Sequence, residues 1–541
     1  MSSLGFQVLY HLLNRRKTIV AERVFLPEPR EESLLLEGGR GLGSLESRSP
    51  LSRFDLVAFS LPFENDYPGV LKILEAGRIP LLAGERDESD PFVLGGGITT
   101  FLNPEPLSPF FDFFLLGEAE PILDRFLEVF REVLHSGGSR REILRILARR
   151  VPSLYVPSLY RVTYNEDGTL RSREPVEPGI PERIPVVRSH PLQAPVSTSA
   201  ILTPDTPFGD RVLVELGRGC GRSCRFCAAG YVYRPPRTHP ESRLRRAVDT
   251  ALEKSRRLGL LSAAVSDTPG IERLTARILE KGGTFSVSSV RADSLTPVLL
   301  DHLKASGQKT LAFAPEAGSE RLRRVINKHL SEEEILRAVR LAAGRGGFGL
   351  RLYLMIGLPT ETREDLEAIR DLVKAIKHHV VKESSTRGRI GKIHLSVNCF
   401  VPKAFTPFQW FPMEQVETLK EKQKWLKKVL LREGGVTVHF DVPRWAYVQA
   451  LLSMGDRRVG SILRKVHEAG GDWRKALRYS DINPDFFVYR PKGLEELLPW
   501  DFIDHGIRRE HLRKEYELAL EARESETCRV GECRRCGVCP R

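Results

Sequence analysis

Short contiguous apolar runs alternate with amphipathic stretches along most of this 541-residue chain. An unbroken apolar run closed by a turn residue reads as a buried strand, while apolar positions three and four apart read as a surface helix. Within the first 135 residues, runs at 54–60, 79–82, 92–94 and 113–116 read as strands and about 68–77 as a helix. The last two runs pass directly into Gly95-Gly96-Gly97 and Gly117-Glu118. Strand, glycine-bearing turn and helix in repetition predict a doubly wound α/β domain over residues 1–135, with ligands at the carboxyl ends of its strands. The glycine triplet would let backbone approach a ligand closely, although on its own such a triplet more often marks a plain turn.

Residues 136–210 change character. A basic helix at 140–150 leads into a Pro-rich connector that holds the duplicated Val-Pro-Ser-Leu-Tyr of 151–155 and 156–160 and a turn at Asn165-Glu166-Asp167-Gly168. The duplication is too short for a structural repeat, so this segment reads as a linker with a small hairpin. From 211 to 400 the alternation resumes, with strands expected at 212–216, 261–266, 285–290, 310–314, 350–356 and 393–399. Ser331 and Glu334 form a capping box ahead of one apolar face made by Ile335, Val339 and Ala342. Six parallel strands with helical crossovers predict a partial (β/α)6 barrel, whose chemistry sits at the carboxyl strand ends. Residues 401–541 read as mostly helical, ending in a cysteine-rich tail.

Charge adds little. Lys and Arg outnumber Asp and Glu by 83 to 70, a net +13, but the surplus is diffuse and forms no nucleic-acid-binding motif, so it reads as solvated surface. No apolar run is long enough to span a bilayer, and residues 1–14 lack the basic start of a signal peptide. A cytoplasmic protein without membrane association is expected.

Cysteine placement changes the picture. Of eight cysteines, three lie between 220 and 227, four between 528 and 539, and Cys399 stands alone on an apolar run as a small buried hydrophobe. Disulfide frameworks scatter their thiols, whereas metal sites gather them locally. Cys220, Cys224 and Cys227, spaced C-x3-C-x2-C directly after the first barrel strand, can anchor three irons of a [4Fe–4S] cube and leave the fourth open. A zinc site would need a fourth ligand, and the nearest histidine is His239.

With this motif at this place the sequence resembles the radical S-adenosylmethionine (SAM) superfamily. The resemblance implies reductive cleavage of SAM to a 5′-deoxyadenosyl radical, and it implies roles for further residues. Phe226 would lie beside the adenine. Ser266, in the Val265-Ser266-Asp267 segment that stands where the family has Gly-Gly-Glu, would meet the methionine amine, although those glycines and the Glu are absent here. Ser288 and Arg291 fall on strand three, Arg291 to pair with the SAM carboxylate. Glu316 ends strand four as a SAM contact, and Gly357 opens the turn that passes the adenine. A doubly wound domain ahead of such a barrel further resembles the cobalamin-binding class, and segments 312–323, 352–359, 401–410, 455–458 and 498–501 resemble one largely uncharacterised branch of it. Two departures concern cobalamin: no D-x-H-x-x-G motif exists, and the chain opens on a helix at 4–13 where such a domain opens with a strand, so that strand is expected to be missing.

Cys528, Cys533, Cys536 and Cys539 form a second metal site, either iron–sulfur, because C-x2-C-x2-C resembles a ferredoxin run, or zinc, which four thiolates satisfy fully. The expected function is therefore radical SAM chemistry on an unknown substrate, either hydrogen abstraction by the 5′-deoxyadenosyl radical alone or cobalamin-dependent methylation. The alternatives are methylthiotransferase-like modification of RNA or protein and a non-catalytic iron–sulfur RNA-binding or electron-transfer protein. The resemblance implies an electron donor of the flavodoxin or ferredoxin type, while the substrate stays unknown, with RNA and protein both open.

Overall fold

A computed structural model of the chain describes residues 2–28, 30–31, 41–346, 348–384 and 391–539. They form two units. One comprises Leu9–Ser189 with Val448–Gly506, the other Met1–Val8, His190–Tyr447 and Ile507–Arg541. These units do not follow the expected cuts at 135, 210 and 400.

In the first unit, β1 (Leu56–Ser60), β2 (Phe92–Gly96) and β3 (Phe113–Leu115) are parallel neighbours, and β4 (Leu154–Tyr155) closes the sheet antiparallel to β3. Pairing through β4 ties the expected linker to this sheet. The basic helix Arg140–Arg150 is anchored too, because Arg140 and Arg86 both reach the buried carboxylate of Asp112 at 2.9 Å. The strand expected at 79–82 does not form. Pro80 has no N–H to give a ladder, and the Arg86 guanidinium takes the Pro80 and Leu81 carbonyls at 3.0 Å each. A hairpin of β5 (Tyr160–Tyr164) and β6 (Leu170–Pro175) turns at Asn165–Gly168 as expected, and β7 (Ile184–Pro185) pairs with Ile503–Asp504. Residues after 447 join this unit because Asn103 Nδ2 donates to the carbonyls of Ser453 and Gly455, and Arg457 pairs with buried Glu105 at 2.9 Å.

The glycines at the strand ends are explained by packing. A Cβ on Gly95 would lie 2.4 Å from the Phe114 ring, one on Gly97 2.7 Å from the Leu61 carbonyl, and one on Gly117 2.3 Å from that of Val187. Two of the three positions in the triplet are thus closed by the chain itself, which favours the plain turn over a ligand approach.

In the second unit, β8 (Val212–Glu215), β9 (Gly217–Arg218) and β10 (Arg237–Thr238) lead into β11 (Arg257–Leu261) and β12 (Thr284–Val287). A second sheet follows with β13 (Thr310–Glu316), β14 (Gly349–Ile356), β15 (Ile393–Cys399) and β16 (Val436–Phe440). The sheets run β8-β11-β12 and β13-β14-β15-β16, parallel throughout. Gln308 stitches them together through the carbonyls of Val287 and Thr310, as does the Val290 amide, which donates to Ala312 O at 3.0 Å. This is the expected open parallel barrel with one more strand, β16, whose Val-Thr-Val-His-Phe alternation lies inside the region read as helical. The second strand sits four residues earlier than expected. Leu258–Leu261 take the register with Val212–Glu215, while Val265–Asp267 leave the sheet as a single 3-10 turn. The capping box at Ser331 and Glu334 is present. Among the described residues no helix is long and apolar enough to cross a membrane.

Candidate functional site

The three clustered cysteines occupy a loop clamped at its base. β9 and β10 pair antiparallel across it, and two glycines permit the closure. A Cβ on Gly217 would lie 2.4 Å from Arg237 O, and Gly219, at φ +79°, has Tyr233 O 2.6 Å from its Cβ position. Gly219→Ala is therefore expected to cost roughly 1–3 kcal/mol or more, seen as a lower unfolding midpoint together with reduced iron uptake.

Inside the loop, Ser223 takes a left-handed conformation between the first two cysteines. Its carbonyl accepts from Tyr231 Oη at 3.3 Å and Asn327 Nδ2 at 3.1 Å. Fully buried Arg225 is the anchor. Its guanidinium pairs with Glu515 at 3.1 Å and donates to the carbonyls of Arg324, Val325 and Arg523 at 3.0, 2.9 and 2.8 Å. Next to it, the half-buried Phe226 packs against a core that includes Ala317, Met355, Leu358 and Phe408.

Cys220, Cys224 and Cys227 are all half-buried and lie within electrostatic reach of one another. Burial raises the Cys224 thiol, and burial followed by the neighbouring Cys224 pushes Cys227 up to about 12. Ligation there must displace a proton from each. Among the described residues no group of His, Cys, Asp or Glu is already closed to metal-ligand geometry. The donor set is nonetheless that of a three-cysteine cluster site, three local thiols on one braced loop.

Lys328, Arg291 and Glu316 lie within electrostatic reach of Cys224. Glu316 ends β13 after a bulge, itself left-handed at φ +67°, and its carboxylate accepts from Lys328 Nζ at 3.2 Å. Burial opposes charge on Lys328, but Glu316 and Cys224 outweigh it and raise its pKa. Arg291 is held otherwise than expected. It grips Asp293 with two bonds of 3.0 Å and reaches the Lys328 carbonyl at 3.3 Å. Arg222, from within the cysteine motif, bridges Asp267 at 2.8 Å and Asp293 at 3.0 Å. This row of alternating charges ties the cysteine loop to the ends of β11 and β12. Ser266 joins the group, as its Oγ accepts from the Arg291 amide at 3.3 Å and from Ser294 Oγ at 2.8 Å.

The structure thus gathers Ser266, Arg291 and Glu316 around the cysteine loop. Ser288 is exposed one residue beyond β12 and does not join them. Gly357, at φ +76°, donates its amide to Glu361, which is paired with Lys422 at 2.7 Å, and sits in that separate network. Lys328, Asp293, Arg222 and Asn327 were missed from sequence. The one local cue to the first was the polar run Asn327-Lys328-His329 just after the short, mostly charged helix Glu320–Val325. Cys399 is buried, as expected of a small hydrophobe.

The tail cysteines lie against this loop. Cys528 N donates to Gly221 O at 2.7 Å, and Asn327 bridges Ser223 to Ser525. Cys533, Cys536 and Cys539 are all within electrostatic reach of Cys528, and Cys536 is buried.

Residues 5–157 match the family described as radical SAM proteins, N-terminal, and residues 214–373 the radical SAM superfamily. An uncharacterized protein of Methanocaldococcus jannaschii is 31% identical over 426 residues, covering 78% of this chain and 83% of that one. An uncharacterized methyltransferase of Pyrococcus horikoshii is 24% identical over 60% of this chain and 67% of its own length. Among solved structures, the cobalamin-dependent S-adenosylmethionine radical enzyme OxsB with aqua-cobalamin bound aligns at TM-score 0.44 and 12% identity, over 86% of this chain and 63% of that one.

Proposed function

The chain belongs to the radical SAM superfamily of enzymes, and on that premise we propose that Cys220, Cys224 and Cys227 hold a [4Fe–4S] cluster with SAM bound beside Cys224. When bound, the cluster supplies the electron that breaks the C5′–S bond of SAM, giving methionine and a 5′-deoxyadenosyl radical. The remaining work belongs to the protein's own side chains. Arg225, Asn327 and the clamp at Gly217 and Gly219 hold the loop in place.

One observation carries the reading: the ion pair of Lys328 and Glu316, 3.2 Å apart, lies within electrostatic reach of the central thiol. The methionine end of SAM is a zwitterion, whose carboxylate suits Lys328 and whose ammonium suits Glu316. Arg291, paired with Asp293, also holds the Lys328 backbone, and Lys328 is added to it as a second cation for the SAM carboxylate. Phe226, half lodged in the core, is kept as the adenine neighbour.

Anaerobic reconstitution with iron, sulfide, SAM and dithionite tests the proposal. It requires release of 5′-deoxyadenosine and methionine, and a cluster-loaded protein that leaves SAM intact refutes it. Lys328→Met is expected to weaken SAM binding about 10- to 100-fold, the worth of one charge-assisted hydrogen bond of about 1.5–3 kcal/mol. Equilibrium binding of SAM reads this directly, and an unchanged affinity removes Lys328 from the site.

Methyl transfer is the onward reaction favoured by the P. horikoshii relative. Cobalamin would be the methyl carrier. No D-x-H-x-x-G motif is present and the glycine turns of the first unit are filled by its own residues, so such a cofactor would bind without a histidine ligand. Cobalt analysis of protein produced with cobalamin decides between this and hydrogen abstraction alone. The methylthiotransferase reading is the weaker one, since residues 1–219 contain no cysteine for a second cluster there.

A further inference from the structure

The C-terminal thiols are the largest chemical feature that the proposal above leaves unused. Cys528-x4-Cys533-x2-Cys536-x2-Cys539 places four thiols within twelve residues. Arg535 folds this segment back on itself by donating to the Glu526 and Thr527 carbonyls at 2.9 Å each, and its Nε lies 3.3 Å from Cys533 Sγ. The segment is docked on the loop of the other three cysteines. Cys528 N–H donates to the carbonyl of Gly221, the residue that follows Cys220. A Cβ on Gly221 would meet Cys528 O at 3.2 Å, so glycine there gives the tail its seat.

Buried Arg234 is held on the cysteine loop and is felt by the tail thiols. It donates to Ser223 Oγ at 2.8 Å and to Gly230 O at 2.9 Å on the loop, and it is within electrostatic reach of Cys528 and Cys533 on the tail. Its third contact, at 3.0 Å, is with Nε2 of His511, which burial and then Arg234 hold neutral, down to about 4, and so able to accept. The Arg508 amide in turn donates to Cys536 O at 2.9 Å.

We propose that Cys528, Cys533, Cys536 and Cys539 bind an iron–sulfur cluster that relays single electrons to the site at Cys220, Cys224 and Cys227. The inference rests on the radical SAM reading of that second site. Three features separate it from a structural zinc. The C-x4-C-x2-C spacing, continued by a further C-x2-C step, follows iron–sulfur runs, whereas zinc sites commonly set paired ligands apart across a longer loop. An N–H donor at Cys533 and a buried cation within electrostatic reach of two of the thiols are the kind of surroundings that adjust a cluster's potential and help it hold an added electron. A metal needed only for folding has no cause to sit one hydrogen bond from the loop that must be reduced.

The electron count closes. A reduced low-potential donor of the ferredoxin or flavodoxin class loses one electron at the tail. That electron crosses through the Cys528 N–H···O=C Gly221 contact and is consumed in breaking the sulfonium C–S bond.

Metal and sulfide analysis of the reconstituted full chain tests the site. Cys533→Ser/Cys536→Ser is expected to lose iron and sulfide relative to the parent, and Cys224→Ala to keep a reducible tail cluster visible by EPR. Zinc in the tail, or equal iron in parent and double variant, overturns the proposal. The relay is read from the ratio of 5′-deoxyadenosine released with a reduced protein donor to that released with dithionite, which is expected to fall at least tenfold in the double variant. An unchanged ratio overturns it. Freeze-quench EPR of the parent chain tests the relay without a variant: the tail signal must rise before that of the SAM site, and the reverse order refutes it. A parent chain that never cleaves SAM but shows a reducible tail cluster would defeat the function proposed above while leaving the tail site standing.

Discussion

Cys224→Ala is expected to abolish 5′-deoxyadenosine release to background under anaerobic, dithionite-reduced conditions. Three thiolates are the minimum that holds a cube with one iron open to SAM, and Cys224 is a thiol with both Lys328 and Glu316 in electrostatic reach. Its loss removes a cluster ligand at the point where that pair stands. The substitution leaves the loop's bracing intact, because that bracing comes from Arg225, Ser223 and Asn327. The variant should therefore remain folded, with circular dichroism close to the parent, and release of product at a tenth of the parent rate or more would count against the assignment.

Arg225→Met should have the second largest effect, this time on stability. The side chain is fully buried, and its removal leaves the Glu515 carboxylate, itself only 4% exposed, without its cation. Breaking a buried pair from one side costs about 3–5 kcal/mol, well above the typical worth of a surface contact. Ser525 Oγ still donates to Glu515 at 2.9 Å, which places the expected loss toward the lower end. Denaturant unfolding of the cluster-free chain measures it. The same substitution cuts the ties of the cysteine loop to helix Glu320–Val325 and to the segment after helix Arg509–Leu520, so iron incorporation should fall in parallel. A loss below about 1 kcal/mol would show that the anchor is not what holds the loop.

Local spacing made the cysteines legible. C-x3-C-x2-C after an apolar run states donor type, number and place in the barrel together. Glu316 and Ser266 came from the family resemblance instead; Glu316 does close its strand, whereas Ser266 lies in a turn beyond the end of β11. What stayed hidden depends on residues far apart in sequence. Lys328 reaches Cys224 across about a hundred residues, and the tail reaches Gly221 across about three hundred, separations at which hydrophobic periodicity carries no information. The same holds for the unit boundaries. Nothing local to residues 448–506 announces that they return to the first sheet's unit, because the ties are single buried contacts such as Asn103 with Ser453 and Gly455. The misplaced second strand has a simpler cause. The Ala263-Ala264-Val265 run extends the apolar signal past Leu261, while Gly259 breaks it inside the true strand, so the pattern drifted toward the carboxyl side. Arg291 illustrates a further limit: sequence places a cation at a strand end, but it cannot show that Asp293, two residues on, already claims it.

EPR spectroscopy of the reduced Cys533→Ser/Cys536→Ser protein, recorded with and without SAM, isolates the site at Cys220, Cys224 and Cys227 and tests the central claim most directly. An iron left open by three cysteines must change its signal when the methionine end of SAM binds it. A spectrum that SAM leaves unaltered, from a protein shown to carry the cluster, would contradict the account.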